Sequence, residues 1–222
     1  MPRGNVRRSA IDLSSECSLL ELSCITDAVK NLPSGGNFLE IGTAAGGTLK
    51  EIIKAADFSN LQVDFYVIDP FNYFPNQVHK IHQNLLHSKI DPSRVKFWEG
   101  TTNDYLSVAI EKKLEFTLIF IDGDHKEFPV MNDLRWMAFL ADGGLIFIHD
   151  YSKKFPGVVW SVDRFLAKNK NFSIISHVDN LVVIRREGKL HKPVNRRDLF
   201  ASKYRQTYKR LGRSIKKRLV RM

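Results

Sequence analysis

Cysteine is almost absent: Cys17 and Cys24 are the two in 222 residues. A disulfide framework or a cysteine-rich metal knuckle needs more, so the pair reads as reduced thiols in an N-terminal helical segment. Long apolar runs are missing as well. None approaches the roughly 18–20 residues that a membrane span requires, and the opening MPRGNVRRSAIDLSSE lacks the apolar core of a secretory signal. The expectation is a cytoplasmic protein with no transmembrane segment. Acidic residues are scarce at one end. From Arg185 to Met222, 15 Lys or Arg face 2 acids, giving this stretch +13 while the rest of the chain is −3. The net +10 is therefore a property of the tail and does not mark the body as a nucleic-acid binder.

The composition, 43% hydrophobic and 26% charged, suits a globular chain of one domain with appendages. A helical pattern over Ser18 to Leu32 precedes PSGG, and then the period changes. Five apolar runs each end in a polar or glycine-containing turn: NFLEIG (37–42), VDFYVID (63–69), VKFWEG (95–100), FTLIFID (116–122) and GLIFIHD (144–150). Several alternate little, as strands covered on both faces do. Helical stripes lie between them, Leu49, Ile52, Ile53 and Ala56 in one and Val130, Leu134, Met137 and Ala138 in another. A helix over Val158 to Lys168 leads to FSIISHVDNLVVIRRE, two β-rich runs joined at VDN, a hairpin signal. The pattern predicts an α/β fold, a Rossmann-like doubly wound sheet of about seven strands, mostly parallel, with a C-terminal antiparallel hairpin.

FLEIGTAAGGTLKEI is a strand, a glycine-containing turn and a helix start, an arrangement in which backbone N–H groups face a ligand. Gly42 permits close approach, and Gly46 and Gly47 permit the turn. The second strand ends in Asp69, where a carboxylate can accept hydrogen bonds from ribose hydroxyls. A nicotinamide fingerprint, Gly42-x-Ala44-x-x-Gly47, wants glycine where Ala44 sits, and Glu40 would repel a pyrophosphate. S-adenosylmethionine has no pyrophosphate, and its sulfonium and ammonium are cationic. EGTTNDYL then places Gly100 and Thr101 near an adenine.

FLEIGTAAGG, VIDPF, FIDGDH with a downstream NDL, and GGLIFIHDY together resemble a class I S-adenosylmethionine-dependent methyltransferase. More narrowly, they resemble the branch of macrocin-type sugar O-methyltransferases and cephalosporin hydroxylase-like proteins. The resemblance covers roughly residues 38–187 and divides the chain into an N-terminal helical segment (1–36), a methyltransferase domain (37–187) and a basic tail (188–222). It implies that Glu40, Gly42, Gly46, Asp69, Gly100 and Thr101 contact the cofactor, Asp69 at the ribose.

Asp122 closes the fourth strand, and His149 and Asp150 close the fifth; adjacent strands would bring the three together at the carboxyl edge. The resemblance implies a divalent metal on Asp122 and Asp150, His149 as a third ligand, and His125 as the base. Sugar enzymes of this branch carry a carboxylate where His149 stands. An imidazole there weakens Mg²⁺ and admits Mn²⁺, Fe²⁺ or no metal. Asp124 or Glu127 reads as the cap of a helix starting near Pro129, and Asp124 as a cap more than as a catalyst. His79, His82 and His87 read as helix surface, His177 as part of the hairpin, Trp136 and Trp160 as packing, and DPFNYFPN as either cofactor cover or substrate wall.

In the tail, Phe200, Tyr204, Tyr208, Leu211, Ile215 and Leu219 recur every three or four residues among Lys and Arg, an amphipathic basic helix with Gly212 a weak point. It could dock on its own domain, on a second subunit in a homo-oligomer, or on an anionic surface; nothing in it reads bases. The first expectation is methyl transfer to a hydroxyl of a small molecule or glycan. Two others compete: a non-catalytic binding protein that attaches to polyanions or membrane through its tail, and an iron-dependent oxygenase using Asp122, His125 and His149.

Overall fold

The computed structural model describes residues 15–32, 36–189 and 193–219, with side chains in the last helix given as far as Leu211. The expected apolar positions Ile215 and Leu219, the Gly212 weak point and most of PSGG lie outside the described residues or side chains. Helix α1 (Leu19–Lys30) opens with a capping box: Ser18 and Glu21 satisfy each other's backbone amides. Cys17 precedes this helix, so only Cys24 is helical; both are free thiols.

The central elements follow in strict alternation. They are β1 (Asn37–Ile41), α2 (Gly47–Phe58), β2 (Asp64–Asp69), α3 (Gln77–His87), β3 (Val95–Glu99), α4 (Leu106–Glu111), β4 (Phe116–Ile121), α5 (Glu127–Asp133) and β5 (Leu140–Ile148). After α6 (Pro156–Lys168), the hairpin β6 (Phe172–Val178) and β7 (Leu181–Arg186) completes one seven-stranded sheet of order β3-β2-β1-β4-β5-β7-β6. β7 runs antiparallel to β5 and β6, and the other pairings are parallel. The α/β doubly wound architecture read from the period is the observed one.

Strands that are nearly all apolar serve two cores. Leu39, Ile41, Ile68, Ile119 and Ile121 point into one with Trp136 and Val162. Phe38, Phe65, Val67, Phe120 and Phe147 point into the other with Ile25, Ile53 and Leu85. Two local expectations differ. The stripe Val130 to Met137 is α-helical only to Asp133 and continues as a 3₁₀ segment, Leu134–Phe139. The fifth strand starts four residues early and stops at Ile148, leaving His149 and Asp150 in a turn where Asp150 takes φ +60°.

Helix α7 (Arg196–Leu219) packs against α5 and α6. Among the described residues, no helix is long and apolar enough to cross a membrane.

Candidate functional site

The chain runs outward from β1 to β2 and β3, then jumps back to β4 on the other side of β1. Such a switch point opens a crevice at the carboxyl ends of the strands. The ladder continues past the strands here: Gly42 N–H donates to Ile68, Asp122 N–H to Ile41, His149 N–H to Ile121 and Gly100 N–H to Asp69. Backbone pairing thus fixes the turn residues side by side.

On the β1–β2 side, Gly42 has φ +80°, and a Cβ there would be driven into the Asp122 carbonyl oxygen. Glycine is required twice, for conformation and for contact with the next loop. Gly46, also left-handed at φ +75°, is the N-cap of α2 and offers no capping side chain. Asp69 is buried. It accepts from the amides of Thr43 (2.9 Å) and Phe71 (2.6 Å) and from Gln77 Nε2 (3.2 Å). Burial raises its pKa against these bonds. A carboxylate has about four acceptor sites, so this arrangement leaves room for a further hydroxyl donor. Glu40 is buried, and among the described residues the Thr43 hydroxyl donates to it at 2.8 Å. Burial, aided by the nearby charges of Asp122 and Asp69, pushes its pKa up to about 8.

A cleft of about 470 Å³ adjoins Asp69, lined by Phe71, Gln77, His79, His82 and Glu99 among others. His79 and His82 are thus walls of this cleft, a role that a surface-helix pattern does not signal. DPFNYFPN contributes Phe71 and Asn76 to the same lining. Gly100 and Thr101 follow Glu99 at the end of β3, but the Thr101 amide and hydroxyl are both bound to Asp104 Oδ2, at 2.7 Å each.

The β4–β5 side is built from ion pairs. His125 Nε2 lies 2.7 Å from Asp150 Oδ2, its ring 4.4 Å from that of Phe155. Its pKa is raised, chiefly by the bond to Asp150. His149 Nδ1 lies 3.1 Å from Asp122 Oδ1 and Nε2 lies 3.3 Å from Glu21 Oε2. Burial opposes its charged form, yet the bond to Asp122 and the charges of Asp122, Asp150 and Glu21 prevail and raise its pKa to about 9. Single ligand atoms of Asp122, His149 and Asp150 lie within 4.8 Å of one another, so these three fit a small cation, while His125 is outside the group. Asp124 does not occupy the cap position itself: Lys126 does, and Asp124 accepts the Lys126 amide at 3.0 Å in the preceding turn.

Two residues were not legible as site components. Glu21, 1% exposed, comes from α1, 128 positions before His149, and also accepts the Asn180 amide at 2.8 Å. Its visible signal was the capping box, which accounts for it without any site. Asp133, from the NDL stretch, is buried beneath Gly123 with the Thr102 hydroxyl at 2.8 Å, and burial raises its pKa to about 7. Trp136 donates to the Thr102 carbonyl from the core.

Residues 39–151 match the family model described as a methyltransferase domain. A curated relative, uncharacterized protein R132 of Acanthamoeba polyphaga mimivirus, is 29% identical over 135 residues, 59% of this chain and 59% of its own length. The aligned region thus spans little more than half of that relative. The fold is similar to that of CalS11, a TDP-rhamnose 3'-O-methyltransferase of calicheamicin biosynthesis, with TM-score 0.59, 15% identity, and 75% and 77% of the two chains covered. It is also similar to that of an O-methyltransferase from Bacillus cereus in complex with SAH, with TM-score 0.60, 17% identity, and 81% and 84% covered.

Proposed function

The chain belongs to the methyltransferase-domain family, and from that premise we propose that it moves a methyl group from S-adenosylmethionine to a hydroxyl of a small molecule or sugar unit. The observation that carries this reading is the crevice at the β1/β4 switch point. Glu40, Gly42 and Asp69 line one side, and Asp122, His125 and Asp150 stand on the other. A sulfonium donor supplies an electrophilic methyl when bound. The chain's task is then to hold donor and acceptor in line and to take the acceptor's proton.

Glu40 suits a cationic ligand, because a positive group beside its buried carboxyl would favour the ionised form, and among the described residues no cation is paired with it. Asp69 has acceptor capacity for a ribose hydroxyl, and the Phe71–His82 cleft is large enough for an aromatic base beside it. His125 is the base. With Nε2–H donated to Asp150, Nδ1 is the acceptor for the hydroxyl proton, and the carboxylate stabilises the imidazolium that results. CalS11, which shares this fold, is a TDP-rhamnose 3'-O-methyltransferase, and a sugar hydroxyl is the first acceptor to test.

A divalent metal fits the Asp122, Asp150 and His149 group and would lower the pKa of a coordinated hydroxyl. Glu21, by accepting Nε2–H, would leave Nδ1 as the ligand nitrogen, the orienting role a carboxylate plays behind many metal-bound imidazoles. The mixed nitrogen and oxygen donors favour Mn²⁺ or Fe²⁺ over Mg²⁺.

Titration calorimetry of the pure folded protein with S-adenosylmethionine tests the donor, with and without Mn²⁺. A saturable heat is expected, and its absence in both conditions sinks the reading. Mass spectrometry of a panel of nucleotide sugars should then reveal a single added methyl.

A further inference from the structure

The outward face of α7 is a large surface that methyl transfer does not use. This helix meets the body chiefly through polar groups, with Leu199 against the core. Its own Asp198 and Ser202 are buried in that contact, Asp198 pairs with Arg164 and Lys168, Gln206 accepts the Phe128 amide, and Arg205 and Lys209 reach Glu127. The opposite face carries Phe200, Tyr204, Tyr208 and Leu211, which are 74%, 65%, 69% and 57% exposed. They recur every three or four residues and form one stripe, with the Tyr204 and Tyr208 rings stacked at 6.4 Å. Arg196, Arg197, Lys203 and Arg210 are exposed beside them.

A helix that only packed on its own domain would turn the aromatic side inward. This one is held by its polar side and presents its aromatic side to solvent. We propose that the outward face of α7 lies on an anionic lipid bilayer. Tyrosine and phenylalanine favour the headgroup boundary, and flanking Lys and Arg are drawn to anionic lipid. The charge of the region from Arg185 onward, +13, complements such a surface. A second copy placed face to face would set the same cations against each other. RNA would satisfy the cations but leave Phe200 and Leu211 in water. The helix would lie along the surface and not cross it. Because Lys209 holds Glu127, two positions after His125, docking would keep the reactive edge of the sheet near the lipid.

Sedimentation of the full chain with vesicles tests this, using phosphatidylcholine alone and phosphatidylcholine with about one-third phosphatidylglycerol. Binding to the anionic vesicles only is expected. The triple substitution Tyr204→Ser/Tyr208→Ser/Leu211→Ser should weaken it by about tenfold or more. The wild-type melting temperature should be retained, since all three side chains face solvent. Arg196→Gln/Arg197→Gln/Lys203→Gln/Arg210→Gln should give a comparable loss by an independent route. Absence of sedimentation with anionic vesicles overturns the proposal. So does equal vesicle binding by the triple-serine variant, or a dimer in light scattering that this variant dissolves. RNA retention in place of vesicle binding has the same consequence.

Discussion

On the β1–β2 side of the crevice, Glu40 and Asp69 face neutral donors: the Thr43 hydroxyl, two backbone amides and the Gln77 side chain. On the β4–β5 side, Asp122 and Asp150 face imidazoles. The electrostatic consequences are opposite. On the first side, burial raises the carboxyl pKa values, with no cation paired to them among the described residues. On the second, the carboxylates raise the pKa values of His125 and His149. One half is short of positive charge and suited to receive it from a ligand. On the other, the carboxylates face imidazoles: they stabilise the imidazolium that a base forms, and a metal on His149 would have to displace a proton.

The largest expected effect breaks only the second half. His125→Asn removes the proton acceptor while keeping a polar side chain of similar reach, so turnover should fall by about 10² to 10⁴-fold. S-adenosylmethionine affinity by calorimetry should stay within about twofold. Comparable losses in both would place His125 at the cofactor and end the division of labour proposed here.

Gly42→Ala should damage both halves together. Its φ of +80° strains an alanine, and the new methyl enters the Asp122 carbonyl, so the β4 loop must shift. Left-handed strain and overpacking each cost about 1–3 kcal/mol. A combined destabilisation of about 2–5 kcal/mol is expected in denaturant melts, with weakened cofactor binding in whatever folds. Glu21→Gln is milder. It removes the charge behind His149, and since both Glu21 oxygens accept N–H groups, the glutamine NH2 must face either the Ser18 or the Asn180 amide. A drop of about 10- to 100-fold in Mn²⁺ affinity by electron paramagnetic resonance is expected, with a loss of about 1–3 kcal/mol of stability from the unmade buried bond.

The same contrast explains what the sequence reveals. The sheet, its antiparallel ending and the β1–β2 turns are written locally: an apolar run, a glycine turn and a terminal carboxylate lie within a few residues of each other. Gly42 and Asp69 could be placed at the crevice because their positions depend on the strands that carry them. The β4–β5 side joins residues 25 positions apart in His125 and Asp150, and 128 apart in Glu21 and His149. Pairing β4 with β5 made the first of these inferable. Nothing local distinguishes a Glu21 that also reaches across the sheet from one that only caps its helix. His79 and His82 lie on the helix surface as the period predicts, but the period does not say that a cleft lies against that face. The stripe on α7 was visible as a pattern, whereas its outward direction depends on Glu127 and Asp198, two carboxylates supplied by or bound to other helices.

The smallest expected effect sharpens the comparison most. Glu40 holds its proton at pH 7, because its pKa in the free protein is about 8 and well above the ordinary carboxyl value. A cationic ligand beside it favours the ionised form, so binding should expel a fraction of a proton to solvent. Calorimetry in buffers of different ionisation enthalpy measures this directly. At pH 7 the observed heat should vary linearly with buffer enthalpy, with a slope below about one proton. At pH 9.5, above about 8, Glu40 is already ionised and the slope should vanish. Glu40→Gln should abolish it at both pH values while leaving the His125 contribution to turnover in place. The sign matters for stability too: a raised pKa stabilises the fold below the unfolded value of 4.5 and loses that contribution as pH rises towards about 8. The wild type should therefore lose stability relative to Glu40→Gln across that interval, and bound donor should restore part of it. A neutral ligand would leave both the slope and the stability interval unchanged, separating a sulfonium donor from an uncharged nucleoside in the same crevice.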